Sequence, residues 1–185
     1  VGERYERAIL KVFGAPDFTL RVRQSELIAP RLLKVDFERP EMLRAVQTHP
    51  GFWLRLWLPG ADGNYQRGYT VIDADQEAGT FSVEFYLHGA GGVADTWAQA
   101  AQPGDEIEAS LYGGKEKFDV GNASAVLLVG DLTSLPAINE IAAKTQLPTT
   151  VLLEATNPGD EDFPTTSPDA QWVPQQPGSA NTLAA

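Results

Sequence analysis

Phe81–Leu111 reads FSVEFYLHGAGGVADTWAQAAQPGDEIEASL, and three local patterns follow one another in it. Phe81, Val83, Phe85 and Leu87 alternate with Ser82, Glu84, Tyr86 and His88, the period of a strand with one buried face. Three glycines in the four positions Gly89–Gly92 then permit positive φ and close backbone approach. Gly91–Ala100 has helical composition, Pro103-Gly104-Asp105 turns the chain back, and Ile107, Ala109 and Leu111 resume the alternation. A Gly-rich segment opening a helix leaves N–H groups free for an anion such as a pyrophosphate. The simpler reading is a flexible strand-to-helix loop. His88 suits a ligand hydrogen bond or a loop anchor better than acid–base catalysis.

The same strand period extends toward the N-terminus. Phe18, Leu20 and Val22 alternate with polar residues, and Leu33–Phe37, Phe52–Leu58 and Tyr69–Ile72 supply further short strands. Turn signals stand at Asp62-Gly63 and Ala78-Gly79. Six strands at this spacing predict a small antiparallel barrel. Tyr5–Phe13 suits an amphipathic helix ahead of it, closed by Gly14 and Pro16.

Beyond Gly121 the pattern changes. Ala125–Val129 is a continuous apolar run of the kind a covered parallel sheet requires. Leu135–Ala143 reads as a helix with Pro136 in its tolerant first turn, and Thr150–Glu154 as the next strand. The fold class is therefore mixed β and α/β: a six-stranded antiparallel barrel over residues 1–120, then a truncated or incomplete α/β domain over 121–185. From Thr156 the chain is rich in Pro, Gly and Ser, carries the acidic run Asp160-Glu161-Asp162, and reads as loop. One βαβ unit is half of an ordinary nucleotide domain, so either a fragment or a reduced protein is expected.

Composition narrows the function. The 185 residues hold 14 Lys plus Arg against 25 Asp plus Glu, a net charge of −11 that disfavours nucleic acid as a partner. No Cys is present, which removes disulfides, thiolate iron–sulfur clusters and cysteine nucleophiles. Two histidines make a His-rich zinc site improbable. No run approaches the length of a membrane span. The start lacks a basic region followed by an apolar core, and the default expectation is a cytoplasmic protein. Oligomeric state is not readable from the pattern.

Two more segments are candidate sites. Arg67 and Tyr69 of Arg67-Gly68-Tyr69-Thr70 share one side of a strand, where a guanidinium could meet a phosphate and a ring a planar ligand; ordinary strand composition is the alternative. Val129–Ile138 is the carboxyl end of the first parallel strand, where α/β sheets bind ligands. It lacks GxGxxG, and Thr133 or Ser134 could simply cap the helix. Lys115 and Lys117 in the Tyr112–Phe118 connection read as exposed loop. Trp53, Trp57, Trp97 and Trp172 read as packing residues.

Together, RGYTV at Arg67–Val71, VEFYLHGAGGVADTWAQAAQPGDEI at Val83–Ile107 and LLVGDLTSLPAINEI at Leu127–Ile141 resemble the siderophore-interacting protein family in motif order and separation. That family comprises FAD-dependent ferric-siderophore reductases of the ferredoxin-reductase-like superfamily. The resemblance implies a flavin-binding barrel and a nicotinamide-binding domain, with FAD as cofactor. NAD(P)H, or ferredoxin in some members, is the electron donor, and a ferric siderophore is the substrate. It further implies that Arg67, Tyr69 and Thr70 hold the flavin and its phosphate. His88, Gly89, Gly91 and Gly92 would form the pyrophosphate loop, with Ala94 and Trp97 on the following helix. Asp131 and Thr133, next to Gly130, would mark the turn beside the interdomain cleft. Two other readings stay open: a non-catalytic flavin- or iron-chelate-binding protein, and a general flavin reductase or electron-transfer module.

The chain departs from the family pattern at three places. Ile72 stands where a second Arg is usual, Asp95 where a hydroxyl is usual at the helix start, and Leu132 where an acid usually follows Asp131. A lost cation and a gained anion both predict weakened or altered FAD affinity.

Overall fold

The computed structural model describes residues 16–89, 91–111 and 118–175. The helix expected over Tyr5–Phe13 and the Lys115–Lys117 loop lie outside them. Seven strands form one antiparallel sheet: β1 Asp17–Ala29, β2 Leu32–Glu38, β3 Trp53–Gly60, β4 Gly63–Thr70, β5 Ile72–Asp75, β6 Thr80–Tyr86 and β7 Glu106–Ser110. Their order is β4-β3-β7-β1-β2-β6-β5. The two edge strands, β4 and β5, are consecutive in the chain, so the sheet curls round on itself into a barrel.

The barrel expected from the sequence is present, with seven strands in place of six. The extra one comes from Tyr69–Ile72, which does not form a single strand. Tyr69 and Thr70 end β4, and Ile72 begins β5. Val71 between them donates its N–H to the Phe52 carbonyl instead of to the ladder. β1 also runs past Arg23 to Ala29. Register shifts at Val22/Gln24 and Leu27/Ala29 let it bend while pairing β2 on one side and β7 on the other.

Alternation in the strands builds the core. Leu20, Val22, Val35, Phe37, Leu54, Leu56, Phe81, Val83 and Phe85 are all buried in one cluster. Helix α1 (Pro40–Ala45) adds Met42 and Leu43, also buried, from a segment without a clear periodic signal. Helix α2 (Val93–Ala100) closes one end of the barrel, where Trp97 lies against Phe37 and Phe85 with ring centroids 6.3 and 5.7 Å away. At the far side, Trp57 Nε1 donates to Ser110 Oγ (2.8 Å), and Ser110 Oγ donates to Asp17.

The second sheet is parallel, ordered β10-β9-β8, with β8 Val126–Asp131, β9 Thr149–Ala155 and β10 Gln171–Pro174. Helix α3 (Leu135–Lys144) crosses between β8 and β9 as expected. β10 corrects the reading of the chain after Thr156 as loop throughout. Gln171–Pro174 pairs in parallel with Leu152–Ala155, a long-range pairing that local composition cannot announce. Leu128, Val151 and Leu153 face α3, whereas Leu127 and Val129 on the opposite face are exposed.

The acidic run is also more than a solvated loop. Asp160 opens a short 3-10 turn (Asp160–Asp162) and is fully buried. It accepts the N–H groups of Thr156 and Asn157 at 2.9 and 2.8 Å and pairs with Arg31 from the β1–β2 turn of the barrel. Asn157 Nδ2 donates to Tyr86 Oη at 2.8 Å, and the Arg31 guanidinium lies 5.5 Å from the Tyr86 ring centroid. Removing the carboxylate strands two backbone donors and the part-buried Arg31 guanidinium. Asp160→Ala is expected to cost about 3–5 kcal/mol, lowering Tm by roughly 10 °C in a chain of this size, as thermal denaturation would measure.

Candidate functional site

A cleft of about 630 Å³ opens between the two sheets. β4 supplies Arg67, Gly68, Tyr69 and Thr70 to its wall, β6 supplies Glu84, and Tyr86 and His88 follow at that strand's end. The start of α2 contributes Gly92, Val93, Ala94 and Asp95. Leu132, Thr133, Pro136 and Ala137 close it from the turn after β8 and the first turn of α3. Three segments separated in sequence by up to 70 residues thus meet at one place.

Each arrives by a local cause. Residues Arg67 and Tyr69 share a face because strand side chains alternate. Tyr69 is packed against Phe85, ring centroids 4.5 Å apart. Burial drives its phenol well above the ordinary value, Arg67 opposes this and Asp95 adds to it, so the hydroxyl remains a hydrogen-bond donor at physiological pH. Arg67 donates from Nη1 to the Gln66 carbonyl at 2.8 Å. His88 is held edge-on to Tyr86, centroids 4.8 Å apart.

The glycines of the loop adopt the conformation that their type allows. Gly89 and Gly91 have φ of 74° and 68°, and a Cβ on either would meet nothing within 4 Å. Open space, not packing, surrounds them. They border a shallower depression next to the cleft, together with Asp95, Thr96 and Gln99. Asp95 belongs to both. It is only 3% exposed, and its Oδ2 accepts the Gly89 N–H at 2.9 Å.

Asp131 does not line the cleft but shapes the turn that does. Its Oδ1 accepts the backbone N–H and hydroxyl of Thr133 (2.9 and 2.6 Å) and both those of Ser134 (3.1 Å each). Burial alone would raise the Asp131 carboxyl, but these hydrogen bonds outweigh it and hold the group below its usual value. The expected cap by Thr133 or Ser134 is therefore reversed: both donate to Asp131, and neither side chain caps α3. Gly130 admits α3 closely, since a Cβ there would lie 2.7 Å from Ser134 Cβ.

Among the expected site residues, Arg67, Tyr69, Thr70, His88, Gly92, Ala94 and Thr133 come together on the cleft. Gly89 and Gly91 stand beside it. Trp97 faces the barrel core behind α2, where its rings pack, as the composition-based reading held. Ile72 is buried at the start of β5 and puts no side chain on the cleft wall. Trp53 does more than pack: it lines the cleft and carries the Arg55 guanidinium 5.0 Å from its ring centroid. Glu84 and Tyr86 were missed as site residues because they read only as the polar half of an alternating strand.

This fold is that of a ferredoxin-reductase-like FAD-binding barrel joined to part of an α/β unit. Residues 57–114 match the siderophore-interacting FAD-binding domain, which places that stretch of the chain in the siderophore-interacting protein family. The siderophore-interacting protein SipS from Aeromonas hydrophila superposes with a TM-score of 0.71 at 25% identity, over 88% of this chain and 69% of that one. A siderophore utilization protein from T. fusca gives 0.71 at 22% identity, over 90% of this chain and 71% of that one. In sequence, the mycobactin import ATP-binding/permease protein IrtA of Mycobacterium tuberculosis is 36% identical over 138 residues. Those residues are 72% of this chain but only 16% of that protein.

For a flavin the cleft offers an aromatic wall and hydroxyls from Tyr69 and Thr70 and a cation from Arg67. The Gly89 N–H beside it is already bonded to Asp95.

Glu84 gives the cleft a titrating wall. Burial raises its carboxyl above the usual value; Lys34 partly offsets this, and Asp73 and Glu140 add to it. Between the unfolded and the raised folded value, the native state keeps a proton that the unfolded chain has lost, so stability falls as pH rises through that window. Thermal denaturation of Glu84→Gln should therefore show a Tm that gains on the wild-type protein as pH rises from about 4 to about 7. Parallel profiles would show that Glu84 carries no such penalty.

Proposed function

We propose that the chain is the flavin-binding part of an oxidoreductase that passes electrons from NAD(P)H or ferredoxin to siderophore-bound ferric iron. The observation that carries this reading is the convergence of Arg67, Tyr69 and Thr70 with His88 and the start of α2 on one cleft. In this reading Arg67 pairs with the phosphate nearest the ribityl chain. Tyr69 donates its hydroxyl and stacks its ring, Thr70 and His88 add hydrogen bonds, and Leu132 and Pro136 exclude water from the opposite wall. FAD, when bound, turns a two-electron donor's equivalents into the single-electron steps that ferric iron needs. Ferric iron is the substrate, and the ferrous product is held less strongly by oxygen-rich chelators.

Several finer points rest on the same reading. The two sheets form two domains divided near Asp119–Ala123. The carboxyl end of β8 beside the cleft is the place for a nicotinamide donor. A cytoplasmic location suits a donor of that kind, and among the described residues no helix is long and apolar enough to cross a membrane. The competing reading is a non-catalytic binding protein, favoured specifically by the buried carboxylate of Asp95 in the first turn of α2, which already takes the Gly89 N–H.

An absorbance spectrum before and after FAD addition tests the proposal. Bands near 375 and 450 nm that bleach anaerobically with NADH or NADPH are the expected result. Arg67→Ala should weaken FAD binding about ten- to hundredfold, the worth of one charge-assisted hydrogen bond. Absence of any flavin binding by the wild-type protein would refute the enzyme reading.

A further inference from the structure

Glu84 lines the cleft from the outer face of β6, half-buried, with Pro136 and Ala137 of α3 on the same cleft. Its register partner on β2 is Lys34, the natural counter-ion for a carboxylate at that position. The Lys34 ammonium goes instead to Asp73 Oδ2 on β5. Asp73 keeps that place at a φ of 51°, a left-handed conformation that Asp tolerates better than most residues. The other charges around Glu84 are engaged as well. Asp36 on β2 accepts from Ser82 Oγ at 2.7 Å and lends further negative charge to the surroundings of Lys34. Glu140 on α3 pairs with Lys144 at 2.6 Å. Elsewhere on the cleft, Arg67 donates to the Gln66 carbonyl and Asp95 accepts from Gly89. Among the described residues, Glu84 has no hydrogen bond or ion pair of its own, although Lys34 is near enough to temper its charge.

We propose that Glu84 sets the electron affinity of a flavin held in this cleft, its unpaired carboxylate opposing the negative charge that the ring takes on when reduced. This rests on the flavin reading above. Two electrons and one proton turn the neutral oxidised ring into a reduced ring with one negative charge. A carboxylate on the wall of the same cleft makes that change less favourable, and more so as the ring displaces water. A protonated carboxyl does not oppose it, so reduction of the ring and protonation of Glu84 favour each other. Asp73 decides how much of the charge is felt: by holding Lys34, it leaves Glu84 uncompensated. The direction suits the proposed substrate. A chelator that holds ferric iron more strongly than ferrous iron makes that iron hard to reduce, and a ring with a weaker hold on its electrons is the better donor to it.

Midpoint potentials of the FAD-loaded protein, measured by anaerobic dye equilibration from about pH 5 to about pH 8, test this without any turnover. Glu84→Gln should favour reduction about tenfold at the upper end, about 30 mV for a two-electron couple. The difference should shrink as pH falls and the wild-type carboxyl takes its proton. Glu84→Asp, which keeps the charge, should stay near the wild-type potential. Asp73→Asn releases Lys34 to Glu84 and should shift the potential in the same direction as Glu84→Gln, with the same loss of effect at low pH. Added to Glu84→Gln it should change nothing further. Asp73 is exposed and Asn tolerates the same backbone, so this variant gives its answer even where Glu84→Gln fails to fold. Equal potentials for Glu84→Gln and wild type at every pH would overturn the proposal. So would an Asp73→Asn protein with the wild-type potential, or an Asp73→Asn shift that survives in the Glu84→Gln background. A wild-type protein that binds no flavin would instead overturn the flavin reading itself, and the proposal with it.

Discussion

Arg31 sits in the two-residue turn between β1 and β2, and the arrangement around the cleft depends on what it holds. Its backbone carbonyl accepts the Leu87 N–H at 2.8 Å, fixing the end of β6 where the Gly-rich loop begins. The guanidinium lies over Tyr86 and pairs with Asp160, which is buried and also accepts two backbone N–H groups at the end of β9. One side chain thus ties the barrel to the parallel sheet. An ion pair of this kind contributes little net free energy when intact, because its carboxylate is fully desolvated and its guanidinium partly so. Its effect is on geometry: the buried carboxylate has to keep its cation and its N–H donors, so the two sheets are held in one relative position.

Apolar contact completes the junction. Leu32, next to Arg31, joins one buried cluster with Leu128, Val151 and Leu153 of the second sheet, Leu132 and Leu135 at the start of α3, and Phe163, although it belongs to the barrel by sequence. The cleft is what remains open above this shared cluster. Its walls inherit rigidity from both cores, and its polar groups are those that project past the packed layer. The result is a slot with apolar side chains at its base and Arg67, Glu84 and Asp95 around it.

Much of this was legible in the residues. The alternation of Phe81, Val83, Phe85 and Leu87 marks β6 and its buried face. The apolar run at 125–129 marks a parallel strand, and the glycines at 89, 91 and 92 mark a loop needing unusual backbone freedom. The contents of the site were less so. Glu84 and Tyr86 look like the solvent side of a strand, and only the second sheet lying over them makes that side a cleft wall. Asp160 looks like one of three solvated acids, and only Arg31, 129 residues away, makes it a buried anchor. β10 is invisible locally because Gln171–Pro174 has weak strand character and is extended by pairing with β9.

Periodicity and turn chemistry are short-range properties. The sequence by itself therefore determined most of the succession of elements, the change from an antiparallel to a parallel pattern, and the three motifs carrying the family resemblance. Which carboxylate faces water, which faces a cation and which accepts a loop N–H was decided only by the tertiary structure. Burial and charge pairing arise between segments far apart in the chain, and neither leaves a local trace. Asp95 and Asp160 are chemically identical to the exposed acids around them, and they differ only in what the fold places against them.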